Sequence, residues 1–163
     1  MSRFAERLPG LNLANPVHFL AVGFGLGLAR KAPGTWGTLA ALPFYFLMAD
    51  LSLPLYLGIT VLLGLVGIYL CGKTAEDMNT HDHPAIVWDE VVGMLIAMAM
   101  LPAGWGWVVG AFVAFRFFDI LKPWPIRLLD KHVHGGFGIM IDDVLAGLFA
   151  LGVVQLAAYL LIG

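Results

Sequence analysis

Five apolar runs, separated by patches of charge, constrain the fold of this chain more than any other feature. They cover Thr38 to Ala49, Leu53 to Cys71, Val91 to Leu101, Trp105 to Phe118, and Val144 to Ile162. At a helical rise of about 1.5 Å per residue, the second and the last can cross a hydrocarbon core of about 30 Å, whereas the other three fall short. Those three are expected to extend into their charged flanks, to bend, or to insert only partway.

The composition makes a bilayer the expected solvent. Hydrophobic residues make up 60% of the 163 residues and charged residues only 12%, about half the charged share of a water-soluble domain. Open sheet edges are not tolerated in lipid, and the runs are too continuous for barrel strands. The sequence therefore predicts an all-α fold, a compact polytopic membrane helical bundle with about four to five transmembrane or partly inserted helices. The alternative is a soluble helical protein with an unusually apolar core.

The amino-terminal part differs from the five runs. Residues 17–29 are glycine-rich and too short for a confident span, which favours an interfacial or re-entrant helix. Residues 1–16 lack an unbroken apolar core followed by a small-residue cleavage site, so no removable signal peptide is expected. No internal repeat or linker divides the chain, and residues 1–163 are predicted to form a single domain.

The basic residues predict an orientation in the membrane. The connections 50–54 and 101–106 are short and contain no Lys or Arg, whereas all nine basic residues lie in the intervening segments. If the amino terminus and the two long loops share one side, the positive-inside rule makes that side cytoplasmic. Five crossings then leave the carboxyl terminus outside. The net charge of −2 provides no basic field for nucleic acid, which is not expected as a partner.

With this topology, charged side chains at the helix ends gather at one membrane face. They are Lys31, Asp82, Asp89, Glu90, Arg116, Asp119, Lys122, Asp142 and Asp143. A carboxylate near a low-dielectric region is costly unless a cation or a metal accompanies it, so this clustering indicates a functional site. A small ion- or solute-transporting protein with charged helix ends as a gate would instead spread acids through the membrane depth, and only Asp50 lies apart. A purely structural membrane subunit would not need paired acids.

Two pairs of adjacent acids are the candidate metal ligands. Asp89 and Glu90 open an apolar helix, and Asp142 and Asp143 are expected to do the same. The helix dipole favours an anion there by roughly 0.3–1 kcal/mol, which explains one acid at each start but not two. Neighbouring side chains point about 100° apart, so one can cap while the other reaches inward.

The residue types leave the identity of the metal open. Carboxylate ligands favour a hard ion such as Mg²⁺, which also bridges to phosphate oxygens. The segment HDHP (81–84) keeps a transition-metal site as an alternative. A zinc site of familiar spacing is missing, because the sequence contains neither a cysteine cluster nor HExxH.

Cations near these acids favour a phosphorylated substrate. Lys31 and Thr35 lie in RKAPGTWG (30–37), whose Pro-Gly turn can expose backbone N–H groups to an anion. Arg116 is a further candidate, with an intrahelical pair to Asp119 as the alternative. Lys122 precedes the stiff segment Pro-Trp-Pro, and its alternative role is that of an interfacial anchor.

The signatures of several other enzyme classes are missing. A cysteine phosphatase needs an arginine six residues after its nucleophile, and position 77, six residues after Cys71, is Asp. The DxDx[TV] signature is absent because Asp142 and Asp143 are adjacent, and HGGFGIM (134–140) is not GxGxxG after a strand. Metal-assisted attack of water is the better chemistry for this residue set, with an aspartyl nucleophile as the alternative.

Four segments in order carry a family resemblance. GFGLGLARKAPGTWGTLAALP, DHPAIVWDEVVGM, FRFFDILKPWPI and HGGFGIMIDDVLAG, between Ala21 and Gly147, closely resemble the bacterial phosphatidylglycerophosphatase A family. The resemblance implies a Mg²⁺-dependent lipid phosphatase of the bacterial inner (cytoplasmic) membrane. Such an enzyme converts phosphatidylglycerophosphate to phosphatidylglycerol and inorganic phosphate.

The residues suggest roles that fit this reaction. Asp89, Glu90, Asp142 and Asp143 are the candidate metal ligands, and Lys31, Thr35, Arg116 and Lys122 the candidate substrate-binding residues. Catalytic candidates are Asp82, Asp89, Glu90 and Asp143, with Asp82 or a histidine of HDHP moving the proton of the leaving glycerol. The active site of this multi-pass protein is expected to face the cytoplasm, and no obligate protein partner is expected.

Overall fold

The structure, a computed structural model, describes residues 8–163. The charged patch from Arg3 to Arg7, which the topology prediction uses, lies outside the described residues. So does the first half of the segment in which no signal peptide was expected.

Helices are the only regular secondary structure in the described part of the chain, which confirms the predicted all-α class. They are α1 (Pro16–Ala21), α2 (Pro33–Leu39), α3 (Ala41–Met48), α4 (Leu53–Asp77), α5 (Trp88–Ala97), α6 (Trp105–Leu121), α7 (Ile126–His132) and α8 (Gly135–Ile162). A 3₁₀ turn at Leu26–Leu28 follows α1. The segment 17–29, predicted as an interfacial or re-entrant helix, therefore forms a short helix and a 3₁₀ turn.

Two helices of the described chain, α4 and α8, are long and apolar enough to cross a membrane. In each, only 22% of the 18-residue apolar window is buried, so most of its apolar side chains face outward instead of filling a core. A soluble protein rarely exposes so large an apolar surface. The two helices therefore indicate that the protein associates with a membrane.

A bundle of four to five spans is not confirmed. The run from Thr38 to Ala49 is divided between α2 and α3, which meet at Ala40. Helix α5 has 10 residues and α6 has 17, which correspond to about 15 Å and 26 Å at 1.5 Å per residue. These helices are shorter than the hydrocarbon core because turns end them on both sides.

Helix α8 lies at the centre and packs against α4, α5, α6 and α7. Glycines allow its backbone to touch two of these neighbours. A Cβ atom on Gly136 would lie 1.9 Å from the carbonyl oxygen of Ile68 in α4, and one on Gly147 would lie 2.5 Å from that of Gly93 in α5. Because no side chain separates the helices there, α5 lies directly against α8 at Gly93 and Gly147.

The short helix α5 ends inside the bundle, where its last carbonyl groups need donors. The Tyr56 hydroxyl of α4 donates a hydrogen bond of 2.6 Å to the Leu95 carbonyl. From α8, Gln155 Nε2 donates to the carbonyls of Ala99 and Met100, at 3.2 Å and 2.9 Å. The two long helices thus supply hydrogen-bond donors to carbonyl groups at the end of α5 and in the turn that follows it. This allows a helix of this length to stay in an apolar environment.

Candidate active site

Asp89 and Glu90 lie in the first turn of α5, as the sequence predicts. The loop before them is held in place by the Val87 amide, which donates a hydrogen bond of 2.9 Å to the Ala21 carbonyl at the end of α1. Asp89 is buried and Glu90 is half-buried. The loop and the helix start therefore direct both carboxylates into the bundle.

Asp142 and Asp143 do not begin a helix, so the prediction that they open one is wrong. Helix α8 begins at Gly135 and places both acids about two turns inside, with only 6% and 3% of their surface exposed. The glycines of 134–140 belong to this helix, and Gly136 packs closely against α4. Helix capping therefore cannot explain this pair of acids.

Three carboxylates meet between α5 and α8. Asp89, Glu90 and Asp143 each offer a carboxylate oxygen, and these atoms all lie within 4.8 Å of one another. One oxygen of each acid, namely Asp89 Oδ1, Glu90 Oε2 and Asp143 Oδ1, is buried without a hydrogen-bond donor. Leaving such atoms unsatisfied is costly, and the neighbouring charges repel one another. The donor set therefore fits a hard divalent cation.

Asp142 is held differently from its neighbour. Lys122 Nζ donates to Asp142 Oδ2 at 2.5 Å and to Asp130 Oδ1 at 3.1 Å. The geometry thus groups Asp142 with a cation and Asp143 with the other two carboxylates. The role of Asp142 as a metal ligand stays a prediction.

A polar cavity of about 140 Å³ joins these groups. Its lining residues are Asp82, Pro84, Ile86, Asp89, Glu90, Asp119, Lys122, Asp142 and Asp143. Six of the residues singled out as site candidates thus share one cavity, although they come from the loop before α5, from α5, from the end of α6 and from α8. Their catalytic and binding roles stay predictions.

Arg116 and the segment RKAPGTWG lie beside this cavity. Arg116 pairs with Asp119, which confirms the intrahelical alternative, while its Nε is buried without a partner. A Cβ atom on Gly34 would lie 2.6 Å from Glu90 Oε1 and 3.1 Å from Arg116 Nη1, so the first turn of α2 touches both side chains. Thr35 is half-buried and Lys31 exposed, and neither lines the cavity.

Sequence reasoning did not select Asp119 as a site residue. It counted Asp119 among the charged side chains at one membrane face and as a partner of Arg116, without a catalytic or binding role, yet this carboxylate lines the cavity. The spacing of the sequence indicated a role for Asp119, because Arg116, Asp119 and Lys122 lie three residues apart and such residues are neighbours on a helix.

The histidines of HDHP lie outside the carboxylate group. His81 Nε2 and His134 Nδ1 share a hydrogen bond of 2.6 Å on the surface. Within residues 8–163, no third ligand joins them in a compact group. The described structure therefore adds nothing to the transition-metal alternative.

Burial shifts the proton affinity of the acids. It raises the pKa of Asp89 well above its usual range, and burial, followed by the charge of Asp119, raises the pKa of Glu90 to about 7. Asp82 is exposed as a residue, but loss of water around its carboxyl group raises its pKa as well.

Burial alone would lower the pKa of Lys122, but its hydrogen bonds to Asp142 and Asp130 outweigh this and raise it. The acids therefore favour a proton or a cation as partner, and Lys122 stays charged.

Known proteins resemble the chain over most of its length. The family model described as Phosphatidylglycerophosphatase A matches residues 19–158. Phosphatidylglycerophosphatase A of Escherichia coli (strain K12) is 53% identical over 146 residues, which cover 88% of this chain and 84% of the relative. The protein of the same name from Haemophilus influenzae is 52% identical over 154 residues, 93% of this chain and 94% of the relative. No solved structure matches at a comparable level of significance. The chain belongs to the phosphatidylglycerophosphatase A family.

Proposed function

We propose that the protein hydrolyses the terminal phosphomonoester of phosphatidylglycerophosphate to phosphatidylglycerol and inorganic phosphate, by Mg²⁺-assisted attack of water. The family match and the names of both relatives support the reaction and the lipid substrate. The observation that carries the metal-assisted chemistry is the approach of Asp89, Glu90 and Asp143 within 4.8 Å, each with a buried oxygen that lacks a donor. Neither relative is named as a transporter, and nothing in the described structure favours that alternative.

In this proposal Asp89, Glu90 and Asp143 hold Mg²⁺, while Asp142 positions Lys122. When bound, the ion supplies positive charge to the phosphoryl oxygens and makes the attacking water more acidic. The three carboxylates come from two helices whose backbones touch at Gly93 and Gly147. Their spacing is therefore fixed by the packing of α5 on α8 before substrate arrives.

The cations of the site bind the phosphate in this proposal. Lys122 lines the cavity, and Arg116, whose Nη1 lies with Glu90 Oε1 beside Gly34, can offer a second cation. An arginine suits a two-point contact with phosphate, whereas a lysine acts as a point charge. Lys31 and Thr35, at the start of α2, bind the outer part of the head group.

Asp82 is the proposed acid for the leaving group. It lines the same cavity as the buried carboxylates, and its raised pKa allows it to carry a proton at a pH at which an ordinary aspartate has lost it. When the bond between phosphorus and the glycerol oxygen breaks, Asp82 protonates that oxygen. Phosphatidylglycerol then leaves with a neutral hydroxyl group.

The proposed location is the bacterial inner membrane, with the site on the cytoplasmic side. Helices α4 and α8 cross the bilayer, and α5 and α6 insert beside them. The end of α4 carries Lys73, and the start of α8 follows the connection that contains Lys122, Arg127 and Lys131. The positive-inside rule assigns these basic residues to the cytoplasm. The lipid substrate then reaches the site by lateral diffusion, with its acyl chains remaining in the bilayer.

The test measures phosphate release from phosphatidylglycerophosphate by the purified protein, with and without Mg²⁺. We expect Mg²⁺-dependent release from the wild type and its loss in Asp143→Asn, because the substitution removes one of three ligand charges. The variant should keep the helical circular dichroism of the wild type in detergent. Asp50→Asn is the matched control, since Asp50 is exposed and remote from the cavity. Unchanged turnover in Asp143→Asn would rule out the proposed role.

A further inference from the structure

A second cavity, of about 330 Å³, adjoins the candidate active site. Its lining residues are Leu121, Lys122, Pro123, Trp124, Arg127, Leu128 and Lys131. Three of them are cations, and among residues 8–163 no acid lines this cavity. Lys122 lines both cavities, so the basic pocket begins where the carboxylate site ends. Its size falls within the range of about 300–1,000 Å³ that is usual for ligand pockets.

Two of the three cations in the basic pocket have no partner among the described residues. Arg127 and Lys131 lie one turn apart in α7, both are exposed, and neither makes a hydrogen bond or an ion pair with another described residue. Lys122 differs, because it already contacts Asp142 and Asp130. The arginine and the second lysine are therefore available for an external anion, and a charged hydrogen bond to such an anion is stronger than a neutral one.

The rim of the basic pocket is apolar and exposed. Leu121, Trp124 and Leu128 expose 55%, 80% and 48% of their surface. Exposed tryptophan beside lysine and arginine is typical of the boundary between water and lipid head groups. The anion that suits this pocket is therefore one attached to a lipid.

We propose that the basic pocket binds the internal phosphodiester of the lipid substrate while the terminal phosphomonoester occupies the carboxylate cavity. This inference rests on the proposed function. Phosphatidylglycerophosphate carries two phosphates joined by one glycerol unit, and the two cavities are joined through Lys122. Arg127 and Lys131 hold the phosphodiester, and Lys122 lies between the two phosphates. The pocket thereby selects lipids whose phosphomonoester is attached through a phosphodiester.

Steady-state kinetics of Arg127→Gln and Lys131→Gln test this assignment. The assay uses neutral detergent micelles in which the substrate is the only anionic lipid. Each variant should raise KM for phosphatidylglycerophosphate about tenfold, as expected for the loss of one charged hydrogen bond, and should leave kcat unchanged. Inhibition by inorganic phosphate, which occupies only the carboxylate cavity, should stay as in the wild type. Arg127→Lys should recover most of the loss because it restores the charge.

The matched control is Lys73→Gln. Lys73 is half-buried near the end of α4, where it pairs with Asp77 and Glu76, and it lines neither cavity. The KM of Lys73→Gln should therefore equal that of the wild type. Turnover by the wild type checks the proposed function separately. With that turnover present, an unchanged KM in both pocket variants would overturn the assignment. An equal rise of KM in Lys73→Gln would also overturn it. So would a rise of KM in the pocket variants that is seen only after a second anionic lipid is added to the micelles.

Discussion

Adjacent side chains of α8 take part in different interactions. Asp142 accepts a hydrogen bond from Lys122 at the end of α6, whereas Asp143 faces Asp89 and Glu90 at the start of α5. Neighbouring positions on a helix point about 100° apart, so one pair of acids can serve two neighbouring helices. This division explains why the chain carries two acids here, although neither caps the helix.

The division predicts different phenotypes for Asp142→Asn and Asp143→Asn. Removal of the Asp143 charge should abolish Mg²⁺-dependent turnover. Asp142→Asn should keep the Mg²⁺ concentration at half-maximal activity and raise KM, because Lys122 loses the partner that positions it. Titration of activity with Mg²⁺ at saturating and limiting substrate separates the two effects. A raised Mg²⁺ requirement in Asp142→Asn would contradict the division and make Asp142 a metal ligand, as the sequence predicts.

Gly34 allows α2 to approach the site, and Gly34→Ala should reduce activity without unfolding the protein. The new Cβ would lie 2.6 Å from Glu90 Oε1, the movable end of a side chain, so the carboxylate shifts and the backbone stays in place. We expect activity to fall by about ten- to a hundredfold, since a displacement of about 1 Å can cost a hundredfold. The thermal midpoint should not change. Gly110→Ala in α6 is the control, because a Cβ there meets nothing within 4 Å; equal activity of both variants would contradict the contact.

At the scale of elements, the start of α5 was predictable and the start of α8 was not. Asp89 and Glu90 begin α5 because acids stabilise a helix start, a local effect that a sequence reveals. Helix α8 begins at Gly135, ahead of Asp142, and the backbone of Gly136 contacts Ile68 of α4. That contact joins residues 68 positions apart in the chain, so no local pattern contains it.

The crossing of α4 and α8 should be sensitive to a single methyl group. In Gly136→Ala the Cβ would lie 1.9 Å from the carbonyl oxygen of Ile68, a backbone atom that cannot move without shifting a helix. We expect a loss of about 1–3 kcal/mol or more in the free energy of unfolding, as is typical of overpacking. Thermal unfolding in detergent measures it. Gly152→Ala in the same helix meets nothing within 4 Å and should keep the wild-type midpoint; an equal midpoint for both variants would contradict the close crossing.

At the scale of the whole molecule, a polar cavity lies within the bundle while the two longest helices expose apolar side chains on its outside. The carboxylate cavity lies among α5, α6 and α8, whereas the apolar windows of α4 and α8 are only 22% buried. The gathering of acids was predictable, because Asp89 and Glu90 directly precede one apolar run and Asp142 and Asp143 another. The separation into a carboxylate cavity and a basic pocket was not, because it depends on how α7 folds back beside Lys122. This arrangement suits an enzyme whose substrate stays anchored in the surrounding solvent.

The nature of that solvent can be tested at the middle of α4. The side chain of Leu65 is 61% exposed. If it faced water, its exchange for arginine would change the free energy of unfolding by only about 0.5 kcal/mol. Arginine at the centre of a membrane-spanning helix costs about 2.5–3.5 kcal/mol. Leu65→Arg should therefore reduce the fraction of protein that stays in the membrane pellet after an alkaline carbonate wash. Leu53→Arg, at the first residue of the same helix, should be retained like the wild type because its side chain can reach the interface. Equal retention of Leu65→Arg and Leu53→Arg would show that α4 does not cross the bilayer.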